Sequence, residues 1–217
     1  MDFHHTFTYL TNLSQNNNRD WFNANKEQYL LLKEQFELFT AQLISDLAGF
    51  DPSIKGLDAK KCVFRIYRDT RFSKNKTPYK INMGAYLVPG GKKSGNAGYY
   101  LHIEPGGSMI AGGIHMPPSP VLKAIRDNVF DNVDELKIVL NNKEFKNQFP
   151  TMTGDKLKTA PKGFPKEWEE IEMLKFKSYT VFKSMKDEDV ISDKFYQTIL
   201  NSFKVMKPFN DFLNKSF

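Results

Sequence analysis

The sequence predicts an α+β protein in which an antiparallel sheet of about five strands packs against N- and C-terminal helices. Three observations carry this reading. Helical periodicity fills both ends of the chain, alternation of apolar and polar residues occupies its middle, and the links between the alternating segments are too short for helical crossovers. The 217 residues are 40% hydrophobic and 26% charged, with a mean hydropathy of -0.51. That composition belongs to a globular chain, neither disordered nor fibrous.

Residues 5 to 14 form a short helix, which Asn16-Asn17-Asn18 interrupts while offering a cap for a second helix near Arg19. From Lys26 the apolar positions Tyr29, Leu32, Phe36, Phe39, Leu43 and Leu47 recur at spacings of three and four, an amphipathic stripe ending near Gly49. After Asp51-Pro52 the period becomes two. Strands are expected at 61 to 67, 81 to 88, 99 to 104, 109 to 116 and 177 to 185. Residues 89 to 96 read as a flexible hairpin loop and Pro105-Gly106-Gly107 as a tight turn. Pro117-Pro118 stops a strand, and Ser119 can cap a helix carrying Val121, Leu122, Ile125 and Val129. Helices near 134 to 147 and 167 to 175 follow, and two more, near 192 to 206 and 208 to 215, complete the reading. No repeat or domain-dividing linker interrupts this order, so residues 1 to 217 read as a single domain.

Charge is unevenly distributed. Residues 55 to 93 hold eleven Lys/Arg against two Asp/Glu, a net of +9, while the other 178 residues carry 20 bases and 23 acids. A basic segment in a mildly acidic body points to a localised anion-attracting surface, unless the charges are merely solvated. No apolar run reaches the roughly 20 residues of a membrane span, and the N-terminus lacks the pattern of a signal peptide. These features predict a cytoplasmic protein without a membrane partner. The single cysteine, Cys62, allows no intramolecular disulfide and reads as a small core hydrophobe.

Strand parity then nominates a site. Pairing across Gly106-Gly107 sets Glu104 opposite Met109, His102 opposite Ala111 and Tyr100 opposite Gly113, which gives Leu101, Ile103, Ile110 and Ile114 to the core face. Tyr100, His102, Glu104 and His115 share the other face, either as a pocket or as a solvated polar surface. If Cys62, Phe64 and Ile66 point into the core, Arg65 points to that same outer face, with Arg68 and Arg71 just beyond. Three guanidinium forks suit a phosphate or carboxylate, although Asp69 and Glu104 could satisfy them instead. The expected ligand-binding set is Arg65, Arg68, Arg71, Tyr100, Lys76 and Lys80. His102 is the candidate general acid/base and Glu104 its orienting partner. His102, Glu104 and His115 have the right chemistry for a metal, but their number is marginal, and no metal site is assigned. No nucleotide-loop, dinucleotide or nucleophile-elbow motif accompanies them, so no cofactor is named.

Several segments also carry a resemblance. Asn17 to Phe22, Arg65 to Ser73, Lys76 to Lys80, Gly98 to Gly107 and Lys158 to Phe164 are together similar to the bacterial domain of unknown function family 2461. The likeness spans nearly the whole chain and implies a single-domain bacterial protein. It singles out the same arginine and His/Glu segments. The leading expectation is therefore a binding protein or enzyme for a small anionic ligand. The alternatives are a nucleic-acid-binding module, with Ser73 to Lys80 and Gly90 to Gly95 tracking phosphates and Tyr67, Tyr79 or Tyr99 stacking, or a protein-interaction scaffold.

Overall fold

The computed structural model describes all 217 residues. It is α+β, with a four-stranded antiparallel meander in the order β1-β2-β3-β4: β1 is Met83–Leu87, β2 Gly98–Ile103, β3 Met109–Ile114 and β4 Tyr179–Ser184. Helices α1 (Phe3–Gln15), α2 (Arg19–Ala24) and α3 (Lys26–Leu47) precede the sheet, followed by the short α4 (Ala59–Cys62). Between β3 and β4 lie α5 (Ser119–Asp131), α6 (Val133–Asn141), α7 (Lys143–Gln148) and α8 (Ile171–Leu174); α9 (Asp187–Val190) and α10 (Phe195–Asn214) follow β4.

Local chemistry sets the helix starts. The Asp2 side chain accepts from the His5 N–H at 2.9 Å to cap α1, and Asn18 does the same for Trp21 to open α2. The α3 stripe buries Tyr29, Leu32, Phe36, Leu43 and Leu47 as its spacing requires. Ser119 is the first residue of α5 and makes no side-chain cap, because Pro120 in the first turn already supplies the helical φ and needs no N–H partner.

The C-terminal helix differs from expectation. In place of the two helices near 192 to 206 and 208 to 215, α10 runs unbroken from Phe195 to Asn214 with Pro208 inside. Phe203, Met206, Phe209, Phe212 and Leu213, on both sides of the proline, are all buried. Burying both halves in one core outweighs the roughly 3 kcal/mol that an interior proline costs.

Alpha10 lies across the inner face of the sheet. Gly112 of β3 is the point of closest approach, since a Cβ there would come within 1.9 Å of Met206 Sδ. Ala85, Leu101, Ile103, Ile110 and Val181 line this face with no exposed surface. A buried polar link adds specificity, as the Tyr99 hydroxyl donates to Asp51 Oδ2 at 2.7 Å. Burial, and then the adjacent carboxylate, push the Tyr99 phenol far above its ordinary range.

The segment expected as a first strand, 61 to 67, is not one. Asp58 caps the helical turn α4, and the chain then runs beside β1 through a single Val63–Ala85 bridge and a Phe64 N–H to Gly84 carbonyl bond of 2.9 Å. The helical turn breaks the alternation. Cys62, Val63 and Ile66 are buried, whereas Phe64, expected in the core, is 37% exposed on the opposite side.

Candidate functional site on the open face of the sheet

The β2–β3 turn is Glu104–Gly107, closed by the Gly107 N–H donating to the Glu104 carbonyl at 3.0 Å, with Pro105 and Gly106 at its centre. Gly106 has a φ of 70°, which suits the third position of a type II turn after proline. The centre lies one residue earlier than expected, so His102 faces Met109 and Tyr100 faces Ala111. Each partner moves by two positions, and the assignment of faces survives.

On the outer face, Tyr100, His102 and Glu104 form a continuous chain. The Tyr100 hydroxyl lies 2.8 Å from His102 Nδ1, and His102 Nε2 lies 2.7 Å from Glu104 Oε2. Burial first, then the nearby Glu104 carboxylate, push the Tyr100 phenol up to about 12. The phenol therefore keeps its proton and donates to Nδ1, leaving Nε2–H to donate to the Glu104 carboxylate. Both ring nitrogens are engaged. The outer end of the chain is the Tyr100 hydroxyl, which lies over Gly84 of β1.

Phe64 flanks Tyr100, with ring centroids 6.0 Å apart in an edge-to-face arrangement. Lys80 Nζ lies 5.3 Å and Lys92 Nζ 4.6 Å from the Phe64 ring centroid. Each ammonium is held by a backbone carbonyl, Lys80 by Arg65 and Lys92 by Val63, both at 3.0 Å. Burial lowers both amines, and for Lys80 the Arg65 and Lys92 charges lower it further. No carboxylate pairs with Lys80, Lys92 or Arg65. Of the eleven bases between residues 55 and 93, only Lys61 and Arg71 meet a carboxylate.

The expected residues thus divide into two groups. Tyr100, His102 and Glu104 come together; Lys80 is linked to them through Phe64, and Arg65 meets Lys80 through its backbone carbonyl. Arg68, Arg71 and Lys76 belong to a separate arm. Arg68 donates to the Thr77 carbonyl at 3.2 Å and to its hydroxyl, Arg71 forks onto Asp69 at 3.0 and 2.7 Å, and Lys76 donates to the Thr70 carbonyl at 2.9 Å. Glu104 takes His102 and no arginine. His115, exposed beyond the end of β3, joins no cluster of metal-ligating side chains. Surface cavities of 510 and 400 Å³ near α9 contain none of these groups. Periodicity missed Phe64 as the platform for the two lysines. The signal was Asp58, a helix cap that resets the parity of the residues after it.

The fold and site define an α+β protein whose sheet is buried by helices on one face and carries on the other a Tyr–His–Glu hydrogen-bond chain, flanked by Phe64 and the two lysines over its ring. The chain belongs to the DUF2461 family of conserved hypothetical proteins, whose sequence model matches residues 5 to 212. No curated protein and no solved structure matches it. No helix is long and apolar enough to cross a membrane.

Proposed function

We propose that the outer face of the sheet binds a small anionic ligand, a phosphate or carboxylate compound, and moves a proton to or from it. One observation carries the reading: a complete hydrogen-bond chain ends at the Tyr100 hydroxyl, and Phe64, the ring that flanks Tyr100, carries Lys80 and Lys92, cations that have no carboxylate of their own. Glu104 orients His102, and His102 serves as acid/base. With both imidazole nitrogens engaged, the proton His102 handles is that of the Tyr100 hydroxyl, so the phenol is the group that meets the ligand. A hydroxyl held by an imidazole that is in turn held by a carboxylate follows the general logic of an activated nucleophile or acid. Lysines whose ammonium form is already disfavoured by burial, and for Lys80 by the Arg65 and Lys92 charges as well, gain most from a bound anion.

Thermal denaturation in increasing inorganic phosphate, pyrophosphate and citrate tests this. The expected result is a rise in melting temperature that follows ligand binding to the native state, equivalent to about 2.7 kcal/mol at a hundred times Kd. The rise should disappear in Lys80→Gln/Lys92→Gln and persist in Arg71→Gln. An equal shift in the lysine variant, or none in the native protein, would overturn the assignment.

A further inference from the structure

The arm between Ile66 and Lys80 carries a second set of features that the sheet-face site does not use. Its base is closed by the Tyr67–Tyr79 bridge and by two backbone bonds, Arg68 N–H to the Pro78 carbonyl at 2.9 Å and Lys80 N–H to the Ile66 carbonyl at 2.8 Å. Asn17 clamps it to the N-terminal helices through both backbone groups of Tyr79, at 3.0 and 3.1 Å. Inside the arm, the Arg71–Asp69 fork and the Lys76 bond to the Thr70 carbonyl fix the bend, and the Asn75 side chain accepts from the Thr77 N–H at 2.9 Å. This built loop nevertheless presents Phe72 at its tip with 95% of its surface exposed, and Tyr67 nearer the base at 50%.

Residues 64 to 80 hold six bases and one acid. That acid, Asp69, is consumed by Arg71, whose hydrogen bonds hold its carboxyl at about 2. Arg71 also keeps its guanidinium 5.8 Å from the Phe72 ring centroid. The remaining charges have no counter-ion in the protein.

Separated aromatic rings interleaved with cations select among partners. A bilayer surface wants a contiguous apolar face, and a protein interface wants a packed apolar centre; two rings standing apart provide neither. Flat rings for unpaired bases and point cations for phosphates match a single-stranded nucleic acid. We propose that the arm binds single-stranded nucleic acid, with Phe72 and Tyr67 stacking bases and Lys74 and Lys76 following the backbone. Of Tyr67, Tyr79 and Tyr99, the last two are buried, and Tyr67, packed against Phe22 and Tyr79 on one side, keeps half of its surface exposed for stacking.

The test is fluorescence anisotropy of a labelled oligothymidylate of about 15 nucleotides and of a duplex of equal length, titrated with the full chain at roughly 50 mM salt and then across a salt series. Single-strand binding is expected to be the tighter of the two. Phe72→Ala, a change at an exposed site whose folding circular dichroism is to check, should weaken it about 5- to 150-fold. Lys74→Gln/Lys76→Gln should flatten the slope of log K against log salt by about 1.4. Lys80→Gln/Lys92→Gln, which removes the sheet-face cations, should leave the Phe72 dependence in place, so this inference and the sheet-face reading fail separately. No binding at tens of micromolar, equal binding of duplex with no effect of Phe72→Ala, or Phe72-dependent binding to phosphatidylserine vesicles without oligonucleotide binding would each overturn the proposal.

Discussion

Gly84 on β1 lies directly beneath the Tyr100 phenol on β2: a Cβ at residue 84 would come within 2.9 Å of Tyr100 Oη and 3.2 Å of its Cε2. The absence of a side chain at one position therefore allows the hydroxyl at another to reach the imidazole.

Gly84→Ala should displace the phenol and break its contact with His102 Nδ1. Overpacking of this kind costs about 1–3 kcal/mol, readable as a lower midpoint in urea. Phosphate stabilisation should weaken in the same variant. A variant with native stability and an unmoved Tyr100 resonance would refute the packing argument.

The hydrogen-bond order assigns the His102 tautomer. Where the imidazole is neutral, nitrogen-15 NMR should find the proton on Nε2 and a bare, hydrogen-bonded Nδ1. Tyr100→Phe leaves Nδ1 without its donor and should destabilise the protein by about 1–3 kcal/mol, the cost of a partly buried polar atom without a partner. A proton found on Nδ1 in the native protein would reverse the direction of the chain.

Close packing at Gly112 makes a third prediction. Gly112→Ala drives a methyl group to within 1.9 Å of Met206 Sδ and 2.8 Å of the Gly98 carbonyl oxygen. Destabilisation of about 1–3 kcal/mol is expected. Met206→Ala should relieve part of it, giving a favourable coupling in the double-mutant cycle. Strict additivity would place the strain at the Gly98 backbone alone.

Alkaline stability has a defined window. Burial, the leading cause for both groups, raises Tyr29 and Tyr100 from 10.0 to about 12. Above pH 10 the unfolded chain releases protons that the native state retains, so stability is whole below about pH 10 and falls as pH rises toward 12. Urea midpoints measured across this range, with the ultraviolet absorbance of phenolate followed in parallel, should show the decline. A flat profile through pH 12 would contradict the burial of these phenols.

The sheet and its faces were legible because side-chain direction along a strand depends only on parity. The one-residue error in locating the β2–β3 turn did no damage, since Pro105-Gly106 and Gly106-Gly107 centres differ by an even step in pairing. The segment at 61 to 67 failed for the complementary reason: the turn of helix begun at Asp58 shifts the phase, and Phe64 leaves the core. The expected break between 206 and 208 is absent because burial of the whole α10 face holds the helix together through Pro208. The grouping of Arg65, Arg68 and Arg71 could not be read from spacing, because a guanidinium's partner is decided by whichever acceptor the loop brings within reach. For Arg71 that acceptor is Asp69, two residues away, and for Arg68 it is Thr77 across the arm.

The seat of Met206 on Gly112 also has a meaning in time. Ribosomal synthesis at about 5–20 residues per second completes all of β2 and β3 several seconds before α10 exists to cover them. During that interval the N-terminal helices, which pack on β1, are in place, but the part of the strip that α10 covers over β3 lies open. A chain truncated before α10 should therefore be recovered as aggregate, not as a smaller folded unit.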